Sequence, residues 1–231
     1  MTQNDALAAL GEILDGPPPT TWVLVHGACR TPEIFRDWRG PLEERGAAQV
    51  FAPDLQAGAD PATLTTAGQA QRVRAALEMA EHPVILLGWS MGGLVAATLA
   101  DHDAVAGLIL LEPSVPAPLV DRAHARITPR PGLLDPEATY GAGPDDYPRR
   151  PESGPARDER KNGVEVLLHL PDTPVLVVAG RDYPERGRPV AGLYDAAGTA
   201  VAYLELPDTG HVDLVVDPAA RAVILARWHR E

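Results

Sequence analysis

Short apolar segments alternate with stretches of helical spacing from residue 21 onward, and this alternation constrains the fold more than any other feature of the sequence. The apolar segments are Trp22–Val25, Gln49–Ala52, Val84–Leu87, Leu108–Leu111, Val175–Val178 and Ala200–Leu204. The helical stretches are residues 32–45, 65–79 and 93–100, and a last one that begins at Pro218. Strands of four or five residues, each followed by a helix, predict a parallel sheet covered by helices on both faces. The chain is therefore predicted to form one three-layer α/β domain over residues 1–231.

The first twenty residues stand apart from this alternation. Apolar residues recur there at helical spacing, which predicts a short amphipathic helix. They are Ala6, Leu7, Leu10, Ile13 and Leu14. Gly16 and the three prolines that follow it are typical of a stiff linker that ends such a helix.

Residues 112–163 also break the alternation and are predicted to form a lid insertion. Ten prolines fall between Glu112 and Lys161, and only residues 119–127 resemble a helix of any length. Long insertions in compact domains are often lids over an active site. Because large apolar residues are few here, the segment is expected to be loosely held, mobile from Pro144 to Lys161, and cut first by trypsin in that stretch.

Charge and composition exclude several classes of partner and cofactor. The formal net charge is −12 and no basic run exceeds two residues, which argues against nucleic acids and anionic membranes. Cys29 is the only cysteine, so neither an internal disulfide nor a structural zinc site of cysteines is expected. The acidic N-terminus lacks the basic head of a secretory signal, and no apolar run reaches membrane-spanning length. A cytoplasmic protein without a metal or other cofactor is expected.

The candidate nucleophile is Ser90, within Gly88-Trp89-Ser90-Met91-Gly92. This fits G-x-S-x-G, a pattern that is weak alone but gains weight from its setting. The pattern directly follows a fully apolar strand and directly precedes a helix of small residues, which is the arrangement that the motif requires. Glycines on both sides of the serine let the chain turn sharply, because side chains there would collide.

From about Thr21 to Trp228 the chain resembles the α/β-hydrolase superfamily, in particular its small lidded carboxylesterase and lipase-like branch. The resemblance rests on His26-Gly27 after the first strand, residues 51–55 after the second, the Gly88–Gly93 elbow and Gly210-His211. It implies a trimmed sheet of about six strands, because residues 1–20 leave no room for the two extra strands that many members have. It also implies that the backbone N–H groups of Ala28 and Met91 form an oxyanion hole.

His211 is the candidate general base, since it follows the last strand and a serine hydroxyl needs a base near neutral pH. His26 is expected to have a structural role within its loop. For the acid that orients the base, the resemblance favours Asp182, in the order Ser, Asp, His. However, only Arg181 separates Asp182 from Gly180, where the family commonly has two residues. Glu112, which directly follows the fourth strand, is the rival candidate.

These residues predict a serine hydrolase that cleaves a small, uncharged or weakly charged ester through an acyl-enzyme. Two alternatives remain open, because the fold does not determine the reaction. One is a cofactor-free lyase, cyclase or perhydrolase that uses the same triad, and the other is a ligand-binding, receptor-like protein with slow turnover. Catalysis by Cys29 is disfavoured, since no motif places a base beside it and a small buried hydrophobic role explains it.

Overall fold

A computed structural model describes residues 21–80, 83–123, 125–129, 132–140 and 146–228. The helix and proline linker predicted for residues 1–20 lie outside the described residues. The strands are β1 (Thr21–Val25), β2 (Gln49–Phe51), β3 (Val84–Trp89), β4 (Val105–Leu111), β5 (Leu133–Leu134), β6 (Glu152–Ser153), β7 (Val175–Ala179) and β8 (Val201–Glu205).

Helices precede and follow these strands along the chain. They are α1 (Arg39–Glu43), α2 (Thr66–Met79), α3 (Met91–Ala97), α4 (Val120–Ala123), α5 (Pro136–Tyr140), α6 (Gly154–Asn162), α7 (Pro184–Ala196), α8 (Asp213–Val216) and α9 (Pro218–Trp228). Single 3₁₀ turns cover Pro32–Phe35 and Ala117–Leu119. None of the helices in the described ranges is long and apolar enough to cross a membrane.

Six strands form the main sheet in the order β2-β1-β3-β4-β7-β8, and every neighbouring pair is parallel. The predicted three-layer α/β fold with about six strands is therefore confirmed. Because all six strands run the same way, the loops that follow them meet at one edge of the sheet, where open α/β sheets bind their ligands. Ser90, Glu112, Asp182 and His211 all follow strands at this carboxyl edge.

The sheet separates two apolar cores, as the alternation of side chains along a strand requires. In β1, Val23 and Val25 join one core, and Trp22 and Leu24 join the other. Helices α2, α3 and α7 pack on the first face, whereas α8, α9 and the 3₁₀ turn at Pro32–Phe35 pack on the second. The central strand β3 is buried at every position, which explains its unbroken apolar sequence.

The insertion contains a helix that the proline count did not predict. Helix α6 begins just after Ser153, whose hydroxyl accepts a hydrogen bond from the Ala156 amide, and it has a proline in its first turn. The prediction that only residues 119–127 would form a helix of any length is therefore wrong: of the residues described in that stretch, only Val120–Ala123 are α-helical, after the 3₁₀ turn. Proline breaks a helix in its interior but is favoured at its first turn, where its missing N–H costs nothing.

Polar contacts attach the insertion to the rest of the domain. Arg150 forms an ion pair with Asp54, and the Tyr147 hydroxyl donates to Asp37 at 2.7 Å. A further attachment is an isolated antiparallel β-bridge between the backbones of Arg30 and Arg149. Hydrogen bonds from Gln56 Nε2 to Pro151 O and from Ser153 Oγ to Leu64 O add to it. The expectation of a loosely held segment counted only apolar side chains and did not include these polar contacts; its mobility stays a prediction.

Candidate active site

The turn between β3 and α3 holds Ser90 in a strained backbone conformation, with φ 56° and ψ −120°. Side chains larger than hydrogen do not fit at the glycines on either side. A Cβ at Gly88 would lie 2.4 Å from the carbonyl oxygen of Gly92, and one at Gly92 would lie 2.1 Å from the carbonyl oxygen of Val25. The close approach of three backbone segments therefore requires this glycine pattern, as the motif predicts.

The loop after β1 lies directly against this turn. A Cβ at Gly27 would be 3.2 Å from the Cβ of Ser90 and 2.8 Å from the Trp89 ring. Ala28, the next residue, packs half-buried against the first core. Met91 is the first residue of α3, so its N–H belongs to the first-turn amides that have no acceptor within the helix. Met91 thus follows Ser90 directly, and Ala28 follows Gly27, which lies against Ser90; their role in an oxyanion hole stays a prediction.

His26 has the structural role predicted for it. Its ring is fully buried, with Nδ1 2.9 Å from the carbonyl oxygen of Gly27 and Nε2 accepting from the Leu55 amide at 3.4 Å. Burial lowers the pKa of His26 to about 4, so the ring stays neutral near neutral pH. The ring ties the loop after β1 to the loop after β2.

Two aromatic rings fix the position of the His211 imidazole. The ring of Trp89 lies 5.0 Å from it between centroids, and the Tyr183 ring meets it edge-on, also at 5.0 Å. The Trp89 indole N–H additionally donates to the backbone carbonyl of His211 at 2.9 Å. Since Trp89 directly precedes Ser90, these contacts hold the imidazole beside the serine turn.

The carboxylate that contacts the imidazole belongs to Glu112. His211 Nδ1 lies 2.5 Å from Glu112 Oε2, and the glutamate is completely buried. Its other oxygen accepts from the Gly180 amide at 2.9 Å and the Tyr183 amide at 3.2 Å. Three hydrogen bonds thus compensate the burial of one carboxylate, as a buried charge requires.

Asp182, the favoured candidate from the sequence, makes a different contact. Its Oδ2 accepts from the backbone N–H of His211 at 2.7 Å, and its side chain is 42% exposed. This backbone hydrogen bond, more than the charge of Arg181, lowers the pKa of Asp182 below its ordinary value. The assignment of Asp182 as the carboxylate on the imidazole is therefore corrected to Glu112.

The short loop after β7 gives the physical reason for this correction. Only one residue separates Gly180 from Asp182, and the Arg181 amide is already bonded to the carbonyl oxygen of Thr209 at 2.8 Å. The aspartate is thereby kept near the backbone of the histidine loop. Glu112 directly follows the neighbouring strand β4, and its longer side chain reaches the imidazole of His211.

Cys29 lies in the same loop as Ala28 and has the inert character predicted for it. It is buried, and burial together with the charge of Glu152 raises the pKa of the thiol to about 12. A thiol with so high a pKa is a poor nucleophile near neutral pH. Across the described residues, no group of three histidine, cysteine, aspartate or glutamate side chains is placed to hold a metal ion.

Sequence reasoning missed the residues that hold the histidine. Trp89 and Tyr183 sit next to predicted site residues, but neither motif assigns them a contact. Glu112 was the rival candidate, and the signal that could have favoured it over Asp182 was its place directly after a buried strand. A carboxylate is rarely buried at a strand end without a partner.

Comparison with known proteins identifies the family of the chain. A family model for the alpha/beta hydrolase family matches residues 22–224. A search of curated proteins finds no match. Among solved structures, polyneuridine aldehyde esterase is 15% identical with a TM-score of 0.64, over 89% of this chain and 98% of that one. A pyrethroid hydrolase from Sphingobium faniae JZ-2 is 21% identical with a TM-score of 0.61, over 90% and 97%.

A lipase-esterase related protein from Clostridium acetobutylicum ATCC 824 is 16% identical with a TM-score of 0.64, over 90% of this chain and 93% of that one. Identities this low show a shared fold and not a shared substrate. The family model, in contrast, spans most of the chain and includes the serine turn, Glu112 and His211. The chain therefore belongs to the alpha/beta hydrolase family.

Proposed function

We propose that the protein is a serine hydrolase that cleaves a small carboxylic ester through an acyl-enzyme. The observation that carries the proposal is the contact between the buried Glu112 carboxylate and His211 Nδ1, beside a serine on a strained turn. A carboxylate on Nδ1 leaves Nε2 as the nitrogen that accepts a proton from a hydroxyl. Family membership and the esterases among the structural relatives support a hydrolase.

In the proposed mechanism Ser90 Oγ attacks the ester carbonyl while His211 takes its proton. Glu112 keeps the proton of the imidazole on Nδ1 and stabilises the imidazolium that forms. The amides of Met91 and Ala28 donate to the oxyanion of the tetrahedral intermediate. His211 then protonates the leaving alcohol, and a water molecule activated by the same ring releases the acid from the serine.

A fluorophosphonate probe tests the nucleophile. The probe reacts with a serine that an adjacent base activates, so it is expected to label Ser90 alone, as read by peptide mass spectrometry. The Ser90→Ala variant should lose both labelling and ester hydrolysis. Ser114→Ala is the control for labelling, because Ser114 is buried next to the same turn and the substitution keeps its backbone amide, which donates to the carbonyl oxygen of Ser90.

Retention of ester hydrolysis in Ser90→Ala would overturn the proposal. Labelling of Ser90 without turnover of any short ester would favour a ligand-binding protein or another reaction on the same residues. Hydrolysis of several short neutral esters by the wild type, abolished by Ser90→Ala, supports the esterase.

A further inference from the structure

A small pocket at the carboxyl edge of the sheet has a strongly basic lining. It is lined by Ser114 and Val115 after β4, by Arg160 and Lys161 at the end of α6, and by Arg186 in the first turn of α7. Three of these five residues carry a positive charge, although the whole chain has a formal net charge of −12. Because cations repel one another, such convergence costs free energy unless an anion occupies the pocket.

The acidic residues nearby neutralise this cluster only in part. Arg160 is paired with the buried carboxylate of Glu152 at 2.5 Å. Arg186 approaches Glu185 at 3.8 Å, that carboxylate is more than half exposed, and the charge of Glu112 also acts on Arg186. Among the described residues, Lys161 makes no ion pair.

Lys161 shows the effect of this crowding. Burial, together with the charges of Arg160, Arg186 and Arg157, lowers the pKa of its ammonium to about 8, and the charge of Glu152 opposes this only in part. An ammonium with a depressed pKa gains from any negative group that enters the pocket. The lysine is thus a half-buried cation that lies among other cations.

The pocket adjoins the candidate active site. The amide of Ser114, which lines the pocket, donates to the backbone carbonyl of Ser90 at 2.9 Å. On its other side the Arg186 guanidinium lies 3.7 Å from the centre of the Tyr183 ring, which in turn contacts His211. Ser114 and Arg186 thus connect the lining of the pocket to Ser90 and His211.

We propose that this pocket, lined by Ser114, Lys161 and Arg186, binds a carboxylate of the substrate, so that the enzyme acts on esters carrying a second, anionic end. This inference deepens the proposed function and rests on it. The interior of the pocket measures about 10 Å³, roughly the space of one water molecule. That space admits one oxygen of a carboxylate. Lysine and arginine donate charge-assisted hydrogen bonds to such an oxygen.

Matched ester pairs test the proposal with the full chain. Monomethyl adipate and methyl hexanoate differ only in a carboxylate on the acyl side, and 4-acetoxybenzoate and 4-methylphenyl acetate differ only on the alcohol side. The wild type is expected to have a kcat/KM roughly tenfold higher for the anionic ester in at least one pair. Lys161→Gln should reduce that preference to near unity, because it removes the cation while keeping a hydrogen-bond donor. Arg186→Gln should reduce it in the same direction.

Arg188→Gln is the control, since Arg188 lies on the same helix but is 73% exposed and pairs with Glu205. It should leave the preference of the wild type as it is. Equal kcat/KM values within both pairs, or a preference that survives Lys161→Gln, would overturn the carboxylate pocket while leaving the esterase intact.

Calorimetry with adipate separates this inference from the proposed function. If no ester is hydrolysed, the proposed function fails, but the pocket is still expected to bind adipate, and Lys161→Gln to weaken that binding roughly tenfold. Absence of adipate binding in the wild type, together with neutral esters being hydrolysed as fast as anionic ones, would show that the cations serve only the packing of α6.

Discussion

At the scale of single residues, Glu112 combines three features that each cost free energy. Its backbone has a φ of 40°, its side chain is fully buried, and it carries a carboxylate. A residue other than glycine with positive φ is strained, and a buried carboxylate must be compensated by partners. Such costs concentrate at functional sites, where the surrounding structure holds them in place. The contacts to Gly180, Tyr183 and His211 supply that compensation.

The first prediction concerns the acid. Glu112→Gln should lower kcat for a short ester by roughly 10⁴, because an amide no longer fixes the tautomer of His211 or stabilises its charged form. Asp182→Asn should lower kcat much less, since its oxygen can still accept the His211 backbone N–H. Steady-state kinetics, together with thermal unfolding to verify that both variants fold, provide the measurement. A larger loss in Asp182→Asn would return the acid to that residue.

The second prediction concerns Cys29. Since burial raises the pKa of the thiol to about 12, very little thiolate is present at pH 8. Iodoacetamide should therefore alkylate the native protein far more slowly than the protein unfolded in guanidinium chloride. Mass spectrometry of the intact protein over time gives both rates. Rapid alkylation of the native protein would mean that the loop after β1 opens to solvent.

Single residues also show the limits of sequence reasoning. Ser90 and His211 could be assigned because a short local pattern and a strand end place each of them. The choice between Asp182 and Glu112 depends on how far a loop of three residues reaches, and that path is decided by contacts with Thr209, which lies 28 residues away from Arg181. Local patterns do not contain that information.

At the scale of elements, α2 and the insertion support one another. The side chain of Thr65 caps α2 locally by accepting from the Gly68 amide at 3.1 Å. Glu159, from α6 in the insertion, accepts from the Thr66 amide at 2.7 Å. A carboxylate at a helix N-terminus satisfies a free amide and interacts favourably with the helix dipole. One glutamate therefore both stabilises α2 and holds α6 on it.

The third prediction follows from this contact. Glu159→Ala should lower the free energy of unfolding by about 1 kcal/mol, which corresponds to a fall in Tm of roughly 2–4 °C for a chain of this size. It should also speed tryptic cleavage within residues 149–161, because the attachment of α6 is weakened. Glu165→Ala is the matched control, since Glu165 is exposed. Equal effects of the two substitutions would show that the hydrogen bond from the Thr66 amide to Glu159 does not stabilise the protein.

Elements of the sheet could be predicted closely, whereas those of the insertion could not. Every one of the six predicted strands overlaps a strand of the structure, because a buried parallel strand must be continuously apolar. The insertion is held by ion pairs and backbone hydrogen bonds to distant residues, such as Arg150 to Asp54. Charged residues look alike in sequence whether they face water or a partner.

At the scale of the whole molecule, α9 closes the second core against the sheet. Trp228 at its end packs edge-on against Trp22 of β1, with ring centroids 6.1 Å apart. The ring also lies over Gly107 of β4, where a Cβ would come within 2.7 Å of it. The glycine thus provides the space that the indole fills, and the two residues join helix and sheet in one packing unit.

The fourth prediction tests how much this closure contributes to stability. Trp228→Ala should lower the free energy of unfolding by about 3–5 kcal/mol, through lost burial and the cavity that remains. Urea denaturation followed by circular dichroism measures the shift of the midpoint. Val223→Ala on the same helix should change it by less than about 0.5 kcal/mol, because Val223 is 42% exposed. A comparable loss in both variants would mean that α9 contributes little through its buried face.

The contact between Trp89 and His211 gives the molecule an intrinsic optical signal. An indole stacked on an imidazole changes its emission when that imidazole gains a proton, because the cation quenches the excited ring. The other three tryptophans, at positions 22, 38 and 228, are buried in the second core. Fluorescence recorded across a pH series would therefore report the charge on His211 directly, without substrate, inhibitor or label.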